Sequence, residues 1–147
     1  TYNANPLCAA AAIATLSLIE REDICGHAER TAGRLRDGLR RIVIEESVPW
    51  GIYGAASTFH IFQNPAGLPL DPATFDPVAL GFKGLKGAKA PNLAHRLRIA
   101  MIANGVDIMG APGGLVSAAH GPEEVARTLE AFRTSVKWMK AEGDIRG

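Results

Sequence analysis

The sequence predicts an α/β chain in which a small sheet is covered by helices. Three observations carry that prediction. Two long helical segments stand first, at 7–22 and about 24–46. Two short runs rich in β-branched and aromatic residues follow, at 50–56 and 58–62. A third helix, a second pair of short strands and a closing amphipathic helix at 123–142 complete the order. Elements arranged in this way pack as layers around one sheet.

Each element has a local cause. Asn5-Pro6 starts the first helix: asparagine caps free N–H groups, and proline at the first helical position gives up a donor that had no partner. Leu7–Glu22 is rich in alanine and leucine and apolar nearly all round, which predicts burial on several sides. In the second helix Ala28, Ala32, Leu35, Leu39 and Ile42 recur at steps of four and three, with Arg30, Arg34, Arg36, Asp37, Arg40 and Arg41 on the other faces. Acidic residues interleave with these arginines, so the charged side reads as a solvated face rather than a nucleic-acid surface. Pro49 ends the helical region, and Trp50–Ala56 and Thr58–Phe62 read as strands, Phe59 and Ile61 alternating with Thr58, His60 and Phe62. Prolines and glycines make Asn64–Pro91 a long loop, with at most one helical turn near Ala73–Ala79. Asn92–Asn104 is a helix stopped by Gly105; Val106–Met109 and Gly114–Ala118 read as strands about a Gly-Ala-Pro-Gly-Gly turn. Pro122 opens the last helix, whose stripe is Val125, Leu129, Phe132, Val136 and Met139.

Composition narrows the function classes. A chain of 147 residues, 47% of them hydrophobic, is large enough to bury a core. A net charge of +1 supplies no long-range field toward nucleic acid or an anionic membrane. The apolar stretch Leu7–Ile19 is shorter than the ~20 residues that span a bilayer and lacks the basic flank of a signal peptide. The expectation is a cytoplasmic protein with no membrane and no nucleic-acid partner. Cys8 and Cys25 show no metal-ligand spacing and are expected as buried, reduced thiols. The chain opens on Thr1-Tyr2-Asn3-Ala4-Asn5-Pro6 without an initiator methionine, which reads as a cut through a longer polypeptide.

Several residue sets invite a chemical reading and do not sustain it. His27, His60, His95 and His120 have no second ligand three or four residues away, so no metal site is expected. Ser57, His60 and Asp71 form no hydrolase triad, because no Gly-x-Ser-x-Gly elbow surrounds the serine. Gly81–Gly87 has the lysine and glycine of a phosphate loop at the wrong spacing. Arg98, in mid-helix, reads as a structural ion pair before a substrate-carboxylate binder.

Three ordered motifs carry a family resemblance. Thr1–Leu7 with its alanine-rich helix resembles the Gly-Thr-x-x-x-Asn-Pro-Leu element of class III (fold type I) pyridoxal-phosphate aminotransferases. Gly54–Phe62 is similar to their Gly-Ser-x-Phe strand. Gly105-Val106-Asp107-Ile108, then Gly114–His120 and an acidic helix start, resemble their closing segment. The branch most resembled is that of glutamate-1-semialdehyde aminomutase. That branch carries Phe-Glu-Ala in a longer version of the Gly110–Gly114 loop; its glutamate is absent here, which weakens the isomerase expectation.

The resemblance implies a C-terminal portion of such an enzyme. Residues 1–23 would be an interface element and connector helix, and 24–147 a small C-terminal domain that closes over the substrate side of a cleft. Its implied partners are a missing N-terminal large domain, a second subunit in a homodimer and a small amino-acid-type substrate. Its implied cofactor is pyridoxal 5'-phosphate, with Thr1 donating to the cofactor phosphate of the neighbouring subunit. The Schiff-base lysine of the family would precede Thr1. Lys83, Lys86 and Lys89 fall in the glycine-rich loop, and Lys137 and Lys140 on the solvent side of the last helix, so no residue of this chain is expected to be catalytic. The alternative reading is a non-catalytic interaction module that dimerises through Leu7–Ile19.

Overall fold

Asn5 does at the start of the chain what its sequence setting requires. In the computed structural model, which describes residues 5–87 and 90–145, the Asn5 side-chain oxygen accepts from the backbone N–H of Leu7 at 3.0 Å and of Cys8 at 3.3 Å. Helix α1 (Pro6–Arg21) follows, and α2 (Ile24–Glu45) resumes after Asp23, whose φ of 46° breaks the run. Then come β1 (Gly51–Tyr53), β2 (Thr58–Phe62), α3 (Pro77–Gly87), α4 (Pro91–Ala103), β3 (Gly113–Leu115) and α5 (Pro122–Ala141).

The strands form one antiparallel sheet in the order β1-β2-β3. Ile52 pairs with Ile61 across β1 and β2, so both point to the inner face, where Phe59 joins them. Against that face lie Ala32, Leu35 and Leu39 of α2, Leu97 and Met101 of α4, and Phe132, Val136 and Met139 of α5. Trp50, 1% exposed, meets the Phe132 ring at a centroid distance of 6.3 Å. Gly38 lets α5 approach α2 closely: a Cβ there would stand 2.5 Å from Leu129. The fold is thus the small sheet covered by helices that the sequence predicts.

Several expectations change. Helix α1 buries none of its residues; Leu7 is 79% and Ile13 67% exposed. Its all-round apolar surface is real, but the core of this chain does not reach it. Cys8 and Cys25 are exposed rather than buried, since Cys8 lies on α1 and Cys25 stands one turn before Ala28, the first buried residue of α2. Strand β1 stops at Tyr53 and not Ala56, because the chain turns through Gly54 and Ala56, the latter at φ 46°. Val106–Met109 is no strand: Val106 N–H closes the end of α4 on the Met101 carbonyl at 3.0 Å, and Met109 N–H bonds the Gly113 carbonyl.

The segment expected as a long loop contains α3, so Lys83 and Lys86 sit on a helix; Lys89 lies outside the described residues. Asp71 caps a turn by accepting from Ala73 N–H at 2.9 Å, and Asp76 caps α3 by accepting from Val78 N–H at 2.8 Å. Gly81, at φ 70° and ψ 169°, divides α3 in two, and this break is what disguised the helix as loop. Among the described residues no helix is long and apolar enough to cross a membrane.

Candidate functional site

Pairing register determines what the outer face of the sheet offers. Gly51 pairs with Phe62 and Tyr53 with His60 across β1 and β2, and His60 pairs with Gly113 of β3. In an antiparallel ladder, directly opposed residues share a face. Tyr53 and His60 stack there at 5.0 Å. Phe75 lies flat on Phe62 at 5.6 Å and edge-on to Tyr53 at 6.1 Å. It occupies the place of a side chain at position 51, where a Cβ would come within 2.4 Å of its ring. On the other side, a Cβ at Gly113 would stand 2.4 Å from the Phe59 carbonyl oxygen and 3.0 Å from His60 Nδ1. Of the two cross-strand neighbours of His60, Tyr53 stacks on it and Gly113 has no side chain, so the ring is left open on the β3 side.

A cleft of about 350 Å³ opens over this face. The second half of α3 supplies Leu85 and Lys86; α4 supplies Pro91 and Ala94; and Gly110–Pro112 form the third wall. Pro112 is tied to the sheet, its carbonyl accepting from Ile61 N–H at 2.9 Å. Gln63 is nearly buried, and its amide donates to the Leu93 carbonyl. Burial holds the His60 imidazole below the ordinary histidine value, and the nearby Lys86 ammonium adds to the effect. Burial also raises the Tyr53 phenol above its usual value. Both groups are thus neutral hydrogen-bonding partners near pH 7, beside one fixed positive charge.

A second concavity, of about 420 Å³, lies between α4 and the β3–α5 connection and is lined by Leu35, Phe59, Arg98, Asp107 and His120 among others. Its charges are already spent on each other. Arg98 Nε and Nη2 reach the two Asp107 oxygens at 2.8 and 2.9 Å, a two-pronged pair. The Arg98 hydrogen bond, chiefly, holds the Asp107 carboxyl below its usual range. Arg98 is therefore the ion-paired residue that the sequence suggested. His120 Nδ1 accepts from Ser117 N–H at 3.0 Å, which leaves the proton of the neutral ring on Nε2, and the His27 ring contacts the His120 carbonyl at 3.2 Å. These bonds fix the turn into α5, whose Glu124 reaches back to the Gly121 N–H at 2.7 Å.

The remaining sequence candidates scatter. Thr1 lies outside the described residues. Lys137 stands near Glu46 at 3.7 Å, and Lys140 donates to the Glu46 carbonyl at 2.6 Å. Ser57 lies in the hairpin connection and Asp71 in its own turn, so neither joins His60. Among the described residues no cluster of three or more His, Cys, Asp or Glu side chains is arranged to hold a metal ion. Sequence reasoning did not single out Tyr53, and it set Lys86 aside as a loop residue. The hairpin register signals Tyr53 once the turn is centred on 54–57, whereas Lys86 depends on an α3 that the glycines conceal.

Comparison with known proteins gives this architecture a place. No protein-family model matches the sequence. An omega-transaminase from Sphaerobacter thermophilus superposes with a TM-score of 0.71 at 25% identity, over 93% of this chain and 29% of that one. A transaminase with PLP bound superposes at 0.70 and 25% identity, over 97% and 30%. The fold is that of a small domain of the fold type I pyridoxal-phosphate transaminases. By sequence the chain is 31% identical over 134 residues to a glutamate-1-semialdehyde 2,1-aminomutase of Methanosarcina acetivorans, covering 90% of this chain and 28% of that protein. The chain is thus similar in sequence to glutamate-1-semialdehyde aminomutases and in fold to pyridoxal-phosphate transaminases, and its short span is consistent with a C-terminal portion of such proteins. It spans less than a third of the length of each of these three proteins.

Proposed function

We propose that this chain is the small C-terminal domain, with its connector helix, of a cytoplasmic, homodimeric, pyridoxal-phosphate-dependent aminotransferase or aminomutase acting on an amino-acid-type substrate. The observation that carries this reading is the agreement of two independent comparisons, each matching nine-tenths or more of this chain to under a third of its relative. Residues 1–23 serve as interface element and connector, and 24–147 as the domain that frames the substrate side of the cleft. Thr1 donates to the cofactor phosphate across the dimer interface.

Whether the described residues can themselves hold the cofactor is decided by their donors. Lys83, Lys86 and Lys137 are exposed, Lys140 is spent on the Glu46 carbonyl, and the outer-face cleft has no carboxylate to meet a pyridine nitrogen. These groups do not make a pyridoxal-phosphate site. The reactive lysine and its surroundings belong to a large domain outside this chain. What this chain contributes is a rigid wall: a sheet backed by a packed core, presenting Tyr53, His60 and Lys86 to a substrate.

The test is an absorption spectrum of the longer protein and of the 147-residue chain with pyridoxal phosphate, before and after borohydride, followed by peptide mapping. The expected result is a cofactor band in the longer protein, fixed by borohydride on one lysine outside these residues, and none in the chain. A stoichiometric adduct on Lys83, Lys86 or Lys89 would overturn it. The exposed apolar side chains of α1 favour a second reading, a non-catalytic module dimerising through that helix. Absence of a band in both samples would select it.

A further inference from the structure

Among the described residues, the outer-face cleft is lined by a cation and no anion. Neither aspartate nor glutamate lines it, and Lys86 takes part in none of the ion pairs among the described residues. Arg98 is matched by Asp107, Arg133 by Glu45 and Glu46, and Arg96 by Asp144, whereas Arg34, Arg36, Arg41 and Arg127 enter no ion pair among the described residues but do not line this cleft. An unmatched ammonium at the rim of a concave site is a place for a ligand's negative charge. The volume of about 350 Å³ suits a metabolite of amino-acid size.

We infer that this cleft binds a small monocarboxylate with an apolar body, its carboxylate on Lys86 and the Tyr53 hydroxyl and its body against Phe62, Leu85 and Ala94. The chemistry of the walls decides both halves. Phe62, Leu85, Ala94 and Pro112 offer apolar surface, and the stacked Tyr53–His60 pair makes a flat floor. A dianion such as phosphate fits less well, because one ammonium beside a neutral imidazole leaves a second negative charge uncompensated in a half-desolvated site. The inference rests on the aminotransferase reading only in taking the ligand to be the enzyme's substrate; binding to the chain does not depend on it.

The experiment is a nuclear magnetic resonance titration of the 147-residue chain with benzoate, acetate and inorganic phosphate, at constant ionic strength held with chloride. Saturable shifts at Tyr53, His60 and Lys86 are expected with benzoate, and binding several-fold weaker with acetate, which lacks the apolar body. Lys86→Gln should weaken benzoate by about tenfold, the loss of one charged partner, and Tyr53→Phe by less. Lys83→Gln, on the same helix but outside the cleft, should change nothing. Binding unaffected by Lys86→Gln, the absence of saturable shifts with benzoate, or phosphate binding tighter than benzoate would each overturn the inference. If the chain binds benzoate while the longer protein fixes no cofactor, only the aminotransferase reading fails. If the cofactor is fixed and benzoate does not bind, only this inference fails.

Discussion

His60 joins the two sides of this molecule's chemistry, since it is a rung of the central strand and a wall of the cleft. Its position makes it a proton-linked element of stability. Tyr53 on β1 and Lys86 on α3 are the titratable groups facing it, and burial with the Lys86 charge lowers its pKa from the ordinary 6.5. As pH falls through that value, the unfolded chain takes up a proton that the folded chain refuses, so stability declines on the acid side of 6.5. Asp107 and Glu124 act at lower pH. Their carboxyl groups are held below their usual values by the Arg98 hydrogen bond and the Gly121 N–H respectively, so their contribution is present near neutrality and lost as the medium becomes strongly acidic. Urea midpoints measured at pH 7.5 and 5.5 should differ in the parent chain, and His60→Gln should shrink the difference while leaving the loss at lower pH. The sequence showed His60 as an alternating strand residue but not its neighbours. Tyr53 required the hairpin register, and Lys86 required a helix hidden by Gly81, Gly84 and Gly87.

At the scale of elements, the helices with a continuous apolar stripe were legible to within a residue or two. The second ran from Ile24 to Glu45 and the last from Pro122 to Ala141, because spacing of three and four fixes a buried face independently of what covers it. The strands were legible in centre and not in extent. Trp50–Ala56 shortened to Gly51–Tyr53, and Val106–Met109 dissolved, because hydrogen-bonded pairing rather than local propensity decides where a ladder ends. The β2–β3 ladder depends on closeness that only glycine permits. Gly113→Ala would place a Cβ 2.4 Å from the Phe59 carbonyl, a backbone atom that cannot step aside. A destabilisation of about 1–3 kcal/mol, typical of overpacking, is expected in chemical denaturation, with amide exchange rising first in β3. An unchanged midpoint would mean that β3 is not held at this distance in solution. The candidate site is exposed to the same change, because Gly110–Pro112 line the cleft just ahead of that strand.

For the whole molecule, the first helix is the part that the rest does not need. It buries no residue, whereas the core is assembled from α2, the sheet, α4 and α5. A chain beginning at Glu22 should therefore melt within a few degrees of the 147-residue chain, since it loses no core contact, while its helical circular dichroism falls by the share of α1. A large drop in melting temperature would show that α1 packs on the domain in solution. The all-round apolar character of α1 was plain in the sequence, yet its exposure was not, since a sequence reports what is greasy and not whether the partner surface is on the same chain. The terminal strands of the sheet, β1 and β3, are three residues each. Edges so short give little template for cross-β growth. If this chain clumps at high concentration, the clumps should be helical and should leave thioflavin T dark, their glue being Leu7, Ile13 and Leu16 and not an extended sheet.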